Sequence, residues 1–216
     1  MDRRDWLRLA CAAAMVSAVP AWAQSRPKTA VPARIVVLGD SLSAEYGLVR
    51  GTGWVALLEQ RLAAEKIAAS VINASISGDT TAGGRARLGA LLKQHKPTVL
   101  VIELGGNDAL RGLPLKNTED NLAAMAQAAQ KIGAKVLLLG MQVPPNYGRQ
   151  YADQFAQLFV SVAQKNKTAL LPFLLKDIAD SADATALFQP DGIHPLAKAH
   201  PQMLDNVWPA LHPLLR

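Results

Sequence analysis

The chain has 216 residues, half of them hydrophobic, with 19% charged, a formal net charge of +6 and a single cysteine. That composition suits one globular domain with a sizeable core. The basic residues are scattered, and no Lys/Arg run interleaved with aromatics occurs, so a nucleic-acid partner is not expected.

The first 23 residues read as an export leader. Arg3, Arg4 and Arg8 form a basic start, 9–19 is apolar and rich in Ala, Pro20 breaks the run, and Ala21-Trp22-Ala23 is an A-x-A cleavage site. The run is shorter than the roughly 20 apolar residues a spanning helix needs, so stable membrane insertion is not expected. Arg3-Arg4-Asp5-Trp6-Leu7 resembles a twin-arginine signal, although Asp2 stands where Ser or Thr is usual, and both export routes fit. The expected location is periplasmic or secreted, after cleavage near Ala23. Cys11 falls inside the leader. A mature chain without cysteine excludes disulfides, thiol catalysis and cysteine metal sites.

Residues 24–33, with Pro27 and Pro32, read as a flexible lead-in, and 34–216 as one domain. The short apolar run at 35–38 predicts a strand buried on both faces. Helical spacing of Trp54, Leu57, Leu58, Arg61 and Leu62 predicts a helix over 53–65. A second strand follows at 69–73, a second helix at 82–94 ending ahead of Pro97, and a strongly apolar strand at 98–104. A helix is expected over 118–132, with Thr118 as N-cap and Gly133 as its stop, then a strand over 135–141. A helix at 151–166, an apolar segment at 169–175 and a closing helix at 196–211 complete the chain. Pro201 and Pro209 are expected to tighten or interrupt that last helix. Strands alternating with helices predict an α/β fold, a three-layer α/β/α sandwich on a mostly parallel sheet of about five strands.

Ligands of such sheets bind beyond the carboxyl ends of the strands. The loops there hold the chain's most suggestive polar residues. In Gly39-Asp40-Ser41-Leu42, a glycine permits a sharp turn and Ser41 stands where a helix can begin; it is either a nucleophile beside a helix N-terminus or simply the cap. In Asn73-Ala74-Ser75-Ile76-Ser77-Gly78-Asp79, Gly78 can bring a backbone N–H close to a ligand oxygen, or merely turn the chain. In Gly105-Gly106-Asn107-Asp108, Asn107 can donate to a developing negative oxygen, or serve as a turn residue.

Near the other end, Asp191-Gly192-Ile193-His194 spaces a carboxylate and an imidazole three residues apart. One turn of backbone can then aim the Asp at one ring nitrogen and leave the other free to deprotonate a serine. A surface ion pair is the plainer explanation of that spacing. His95, His200 and His212 are expected to be solvated. No G-x-S-x-G, H-E-x-x-H, Walker or G-x-G-x-x-G pattern is present, and no cluster of metal ligands.

Taken in order, these four blocks resemble those of the SGNH (GDSL) hydrolase family, over essentially the whole mature chain. Further segments, including Leu91-Leu92-Lys93-Gln94-His95-Lys96-Pro97 and Pro145-Asn146-Tyr147-Gly148-Arg149, are similar to the family's bacterial periplasmic thioesterase I, lysophospholipase and arylesterase branch. The resemblance implies a flavodoxin-like fold, no cofactor or metal, and hydrolysis of thioesters and esters with medium to long acyl or aryl groups, lysophospholipids among them; a monomer is expected. It implies Ser41 as nucleophile, His194 as base and Asp191 as its orienter, with the N–H groups of Ser41 and Gly78 and the Asn107 amide as oxyanion hole. Leu110, Leu113, Pro144 and Pro145 lie on mostly apolar loops that suit an acyl chain, although ordinary loop packing accounts for them equally. A carbohydrate O-deacetylase of the same mechanism, or a non-catalytic binding protein on this fold, are the alternatives.

Overall fold

The structure is a computed structural model that describes residues 32–216. The leader expected over 1–23 and nearly all of the expected lead-in lie outside the described residues.

Five short strands form the centre: β1 (Ala33–Gly39), β2 (Ala69–Asn73), β3 (Val99–Glu103), β4 (Lys135–Leu139) and β5 (Ala169–Leu171). All neighbours pair in parallel, in the order β2-β1-β3-β4-β5. That is the flavodoxin-like order, and its direction of winding reverses between β1 and β3. β1 and β3 read as continuous β-branched and aliphatic runs because both of their faces are covered; Ile35 to Leu38 and Val99 to Ile102 are all buried.

The cover comes from α1 (Trp54–Ala64), α2 (Thr81–His95), a short α3 (Gly106–Leu110), α4 (Leu115–Lys131), α5 (Arg149–Asn166), a short α6 (Ala184–Leu187) and α7 (His200–Leu211). α1 packs with α7 on one face, and α2, α4 and α5 line the other. The inward stripe of α1 is Trp54, Val55, Leu58 and Leu62, and that of α5 is Phe155, Leu158, Phe159 and Val162, the i, i+3/i+4 spacing of an amphipathic helix. Phe155 and Phe159 meet edge to face with centroids 5.4 Å apart. Among the described residues, no helix is long and apolar enough to cross a membrane.

Several expectations need correction. No helix follows Ser41: residues 41–47 form successive turns, with positive φ at Glu45 (60°) and Gly47 (70°) preventing a helical run. Thr118 is not an N-cap. α4 begins earlier, after Pro114, which cannot continue a helix backwards, and the buried Thr118 turns its hydroxyl inward to Asp108 Oδ1 at 3.3 Å. The last strand is only three residues long, and 172–180 continues mainly as turns. Pro201 sits in the first turn of α7, where no N–H is missed, and Pro209 lies inside the helix without ending it.

His200 is buried, not solvated. Its Nδ1 accepts the Trp54 N–H at 3.0 Å, joining α7 to the start of α1. Burial holds its imidazole below the usual range, which keeps the ring nitrogen free to accept.

Candidate active site

Ser41 follows β1 and Asn107 follows β3, so both stand at the reversal in strand order. Gly78, in the loop after β2, lies at the same carboxyl edge. The turn at Ser41 is held from beneath. The Asp40 carbonyl accepts from the N–H of Ser43 (3.2 Å) and Ala44 (2.9 Å), the Asp40 carboxylate accepts from the Leu42 N–H (3.1 Å), and the Asn73 amide donates to the Ser43 carbonyl (2.7 Å). Ser41 itself keeps partial exposure.

The second half of the site is a compact loop. Asp191 Oδ1 accepts the N–H groups of Ile193 (2.9 Å) and His194 (3.0 Å), while Oδ2 lies 2.6 Å from His194 Nδ1. The backbone N–H of His194, together with the ring and the Ile193 N–H, draws the Asp191 carboxyl down to about 2 despite some desolvation. His194 Nε2 then meets Ser41 Oγ at 2.8 Å. Gln189 ties this loop to the turn of Ser41: its N–H donates to the His194 carbonyl (2.7 Å), and its side-chain amide to the Tyr46 carbonyl (2.9 Å). The Tyr46 ring packs on His194, centroids 4.4 Å apart.

Ser41, Gly78 and Asn107 each carry a donor at the carboxyl edge of the sheet. Among the described residues, the N–H groups of Ser41 and Gly78 have no protein acceptor. Gly78 takes φ +78°, a conformation that a side chain would strain, and its carbonyl is held by the Arg111 guanidinium at 2.7 Å. Asn107 donates one amide hydrogen to Asp40 Oδ2 at 2.9 Å, leaving the other for a ligand. Its helix α3 is anchored by the buried Asp108, which accepts from the Thr81 N–H (2.9 Å) and the Thr81 hydroxyl. The loop after β2 is braced by Arg87, which donates to Asp79 (2.8 Å) and to the Ala74 carbonyl.

The structure thus brings together Ser41, Asp191 and His194. Gly78 and Asn107 are joined to the same edge through Arg111 and Asp40. Of the proposed substrate contacts, Leu110 is 47% exposed, Leu113 is half-buried and Pro144 is exposed, while Pro145 lies in a 3₁₀ turn, Pro145–Tyr147. Tyr46, Val49, Ile76 and Ile193 are also large exposed apolar residues in the loops that carry the site, and Leu110 ends the short α3, close in sequence to Asn107. Surface cavities between α4 and α5, lined by Leu115, Lys116 and Glu119, and at the strands' opposite end, lined by Arg34, Leu92 and Lys96, contain none of the reactive groups. Among the described residues, no three His, Cys, Asp or Glu side chains converge on a metal-sized site.

Sequence reasoning did not single out Asp40, Ser43, Glu103 or Tyr46. Glu103 left a signal: it is the one charged residue in the apolar run 98–104. Burial raises the Asp40 carboxyl to about 6, against its hydrogen bonds to Leu42, Glu103 and Asn107, and raises Glu103 well above the ordinary range, with the Asp40 charge adding to the effect.

A hydroxyl, an imidazole and a carboxylate in one hydrogen-bonded line, at the switch point of a flavodoxin-like sheet, define the class: an α/β serine hydrolase. Comparison with known proteins agrees. Residues 37–201 match the model of the GDSL-like lipase/acylhydrolase family. The chain is 54% identical to esterase TesA of Pseudomonas aeruginosa over 181 residues, covering 84% of this chain and 89% of that protein. It is 40% identical to the thioesterase 1/protease 1/lysophospholipase L1 of Escherichia coli K12, covering 84% of each. A crystal structure of TesA superposes with a TM-score of 0.81 at 54% identity, over 84% of this chain and 99% of that one. The chain belongs to the GDSL-like lipase/acylhydrolase family.

Proposed function

We propose that this protein is a serine esterase and thioesterase that works through an acyl-enzyme on Ser41. The observation that carries the reading is the unbroken line from Ser41 Oγ through His194 to Asp191. Ser41 Oγ attacks the acyl carbon as His194 Nε2 takes its proton, and Asp191 steadies the imidazolium. The carbonyl oxygen becomes an oxyanion, received by the N–H groups of Ser41 and Gly78 and the free Asn107 hydrogen. On collapse the leaving alkoxide or thiolate takes the proton from His194. Water then attacks the acyl-enzyme, giving one proton to His194, which returns it to Ser41 as the acid departs.

The exposed apolar side chains around the site, Tyr46, Ile76, Leu110 and Ile193, favour acyl and aryl groups over sugars. Leu113, Pro144 and Pro145 are the further candidate contacts in the neighbouring segments. Substrates are small-molecule esters and thioesters with medium to long acyl or aryl groups, including lysophospholipids, acted on by a monomer in the periplasm or outside the cell after removal of residues 1–23. The activities named for the two relatives support this choice.

A chain-length series tests it. On p-nitrophenyl esters, kcat/KM is expected to rise at least about tenfold from acetate to medium-chain acyl groups, since each buried methylene contributes roughly 0.8 kcal/mol. Acyl-CoA should also be cleaved. Turnover confined to acetylated oligosaccharides would make the protein a deacetylase instead.

A further inference from the structure

Beneath the nucleophile's turn lies a carboxyl that the reaction above does not use. Glu103 ends β3 with no solvent exposure, paired in register with Gly39 of β1. The fit is close: a Cβ on Gly39 would fall 2.8 Å from Glu103 Oε2 and 2.9 Å from Ser43 Oγ, so the glycine leaves room for this carboxyl.

The hydrogen bonds around it can be followed atom by atom. Trp54 Nε1–H donates to Ser43 Oγ (3.2 Å), so the Ser43 hydroxyl hydrogen is free to donate to Glu103 Oε2 (2.8 Å). The Asp40 N–H donates to the same Oε2 at 3.3 Å. Both Asp40 carboxylate oxygens accept, Oδ1 from Leu42 and Oδ2 from Asn107, so Asp40 has the partners of an anion. Glu103 Oε1 is buried and receives no donor. An ionised oxygen in that position would lose its water without compensation. A protonated one needs an acceptor, and the buried Asp40, whose own N–H is bonded to Glu103 Oε2, carries the neighbouring carboxylate. Two carboxyls so close, both out of water, do not ionise together.

We propose that Glu103 is a positioning residue of the oxyanion hole: it is the protonated member of a buried carboxyl pair, and its acid proton, on the otherwise unpartnered Oε1, holds the Asp40 carboxylate against the Asn107 amide. The chain Trp54, Ser43, Glu103, Asp40, Asn107 then satisfies every link and runs from α1 to α3 through the sheet. Its product is the orientation of one N–H. Hydrogen-bond donors act on a developing oxyanion only when fixed in advance, and a shift of a few tenths of an ångström weakens them. This inference rests on the acyl-transfer reading for its kinetic part alone; the seat of the proton is independent of substrate.

Two variants and one spectrum test it. In Glu103→Gln, the side-chain amide supplies a donor to Asp40 and an acceptor to Ser43, so kcat is expected to stay within about threefold of wild type. Glu103→Met fills similar space without a donor, and kcat is expected to fall about 10- to 100-fold with KM within about twofold, part of the loss for an oxyanion donor removed outright. Infrared spectra at neutral pH should contain a protonated-carboxyl carbonyl band that disappears in Glu103→Gln.

Equal losses in Gln and Met, an undiminished kcat in folded Met protein, or a wild-type spectrum without the band would overturn the proposal. If Glu103→Met does not fold, the Gln variant's kcat and the band still decide. Failure of the acyl-transfer reading would appear separately, as undiminished ester turnover in Ser41→Ala.

Discussion

Asp191 holds His194 through contacts that reach no further than three residues, and 37% of its side chain faces solvent. Asp40 holds Asn107 across 67 positions of chain, from a site only 3% exposed. The two aspartates do related work, each fixing a side chain of the proposed catalytic site, yet one does so in a loop that organises itself and the other in the core of the sheet. The loop's geometry can be built from its own backbone, since two N–H groups and a ring nitrogen converge on one carboxylate. The buried side exists only when β1, β3 and α3 have come together.

This contrast sets the order of expected effects. Asp191→Asn reverses what the carboxylate does to the ring, because an amide can present an N–H to Nδ1 and favour the wrong tautomer. A fall in kcat of about 10³- to 10⁴-fold is expected, with the melting temperature nearly unchanged. A marked loss of stability would show that the loop is not self-contained. Asn107→Ala removes one oxyanion donor and should lower kcat by about 10²- to 10³-fold, with KM little altered. It also leaves Asp40 Oδ2 without its partner, so this variant, unlike Asp191→Asn, is expected to melt lower by an amount readable in calorimetry.

The smallest effect is one of pH. Asp40 is raised from 3.8 to about 6, and Glu103 also well upward, both chiefly by burial. Raised acids bind protons more tightly in the folded protein, so their contribution to stability is complete below the unfolded values and is lost as pH climbs through about 6 and beyond. The melting temperature of Glu103→Gln relative to wild type is therefore expected to rise as pH climbs from about 4 through about 6 and beyond. Asp191 has the opposite sign, its contribution being lost only as pH falls from 3.8 through about 2. A difference between Glu103→Gln and wild type that stays flat with pH would contradict the buried-pair account.

The same contrast explains what could be read in the sequence. Strand and helix order followed from apolar runs and helical spacing, and the proposed catalytic residues stood in short motifs whose spacing reflects local geometry, Asp191 to His194 above all. What escaped depends on partners far along the chain. Glu103 looked like the end of an apolar strand until its register placed it beside Gly39. Tyr46 gave no local sign that it would lie on His194, 148 positions away in the sequence. His200 stands between Lys198 and Gln202 with no local sign of a partner, and the packing of α7 on α1 buries it. Thr118 has the chemistry of a cap, but a buried carboxylate competes for its hydroxyl and wins.

The central claim is that acyl transfer passes through Ser41. Rapid acid quench of the enzyme with a p-nitrophenyl ester, followed by intact and peptide mass spectrometry, reads it directly. The expected result is a single acyl adduct on the peptide carrying Ser41, absent from Ser41→Ala, whose turnover falls by about 10⁴-fold or more. An adduct on another residue, or undiminished turnover in Ser41→Ala, would contradict the account.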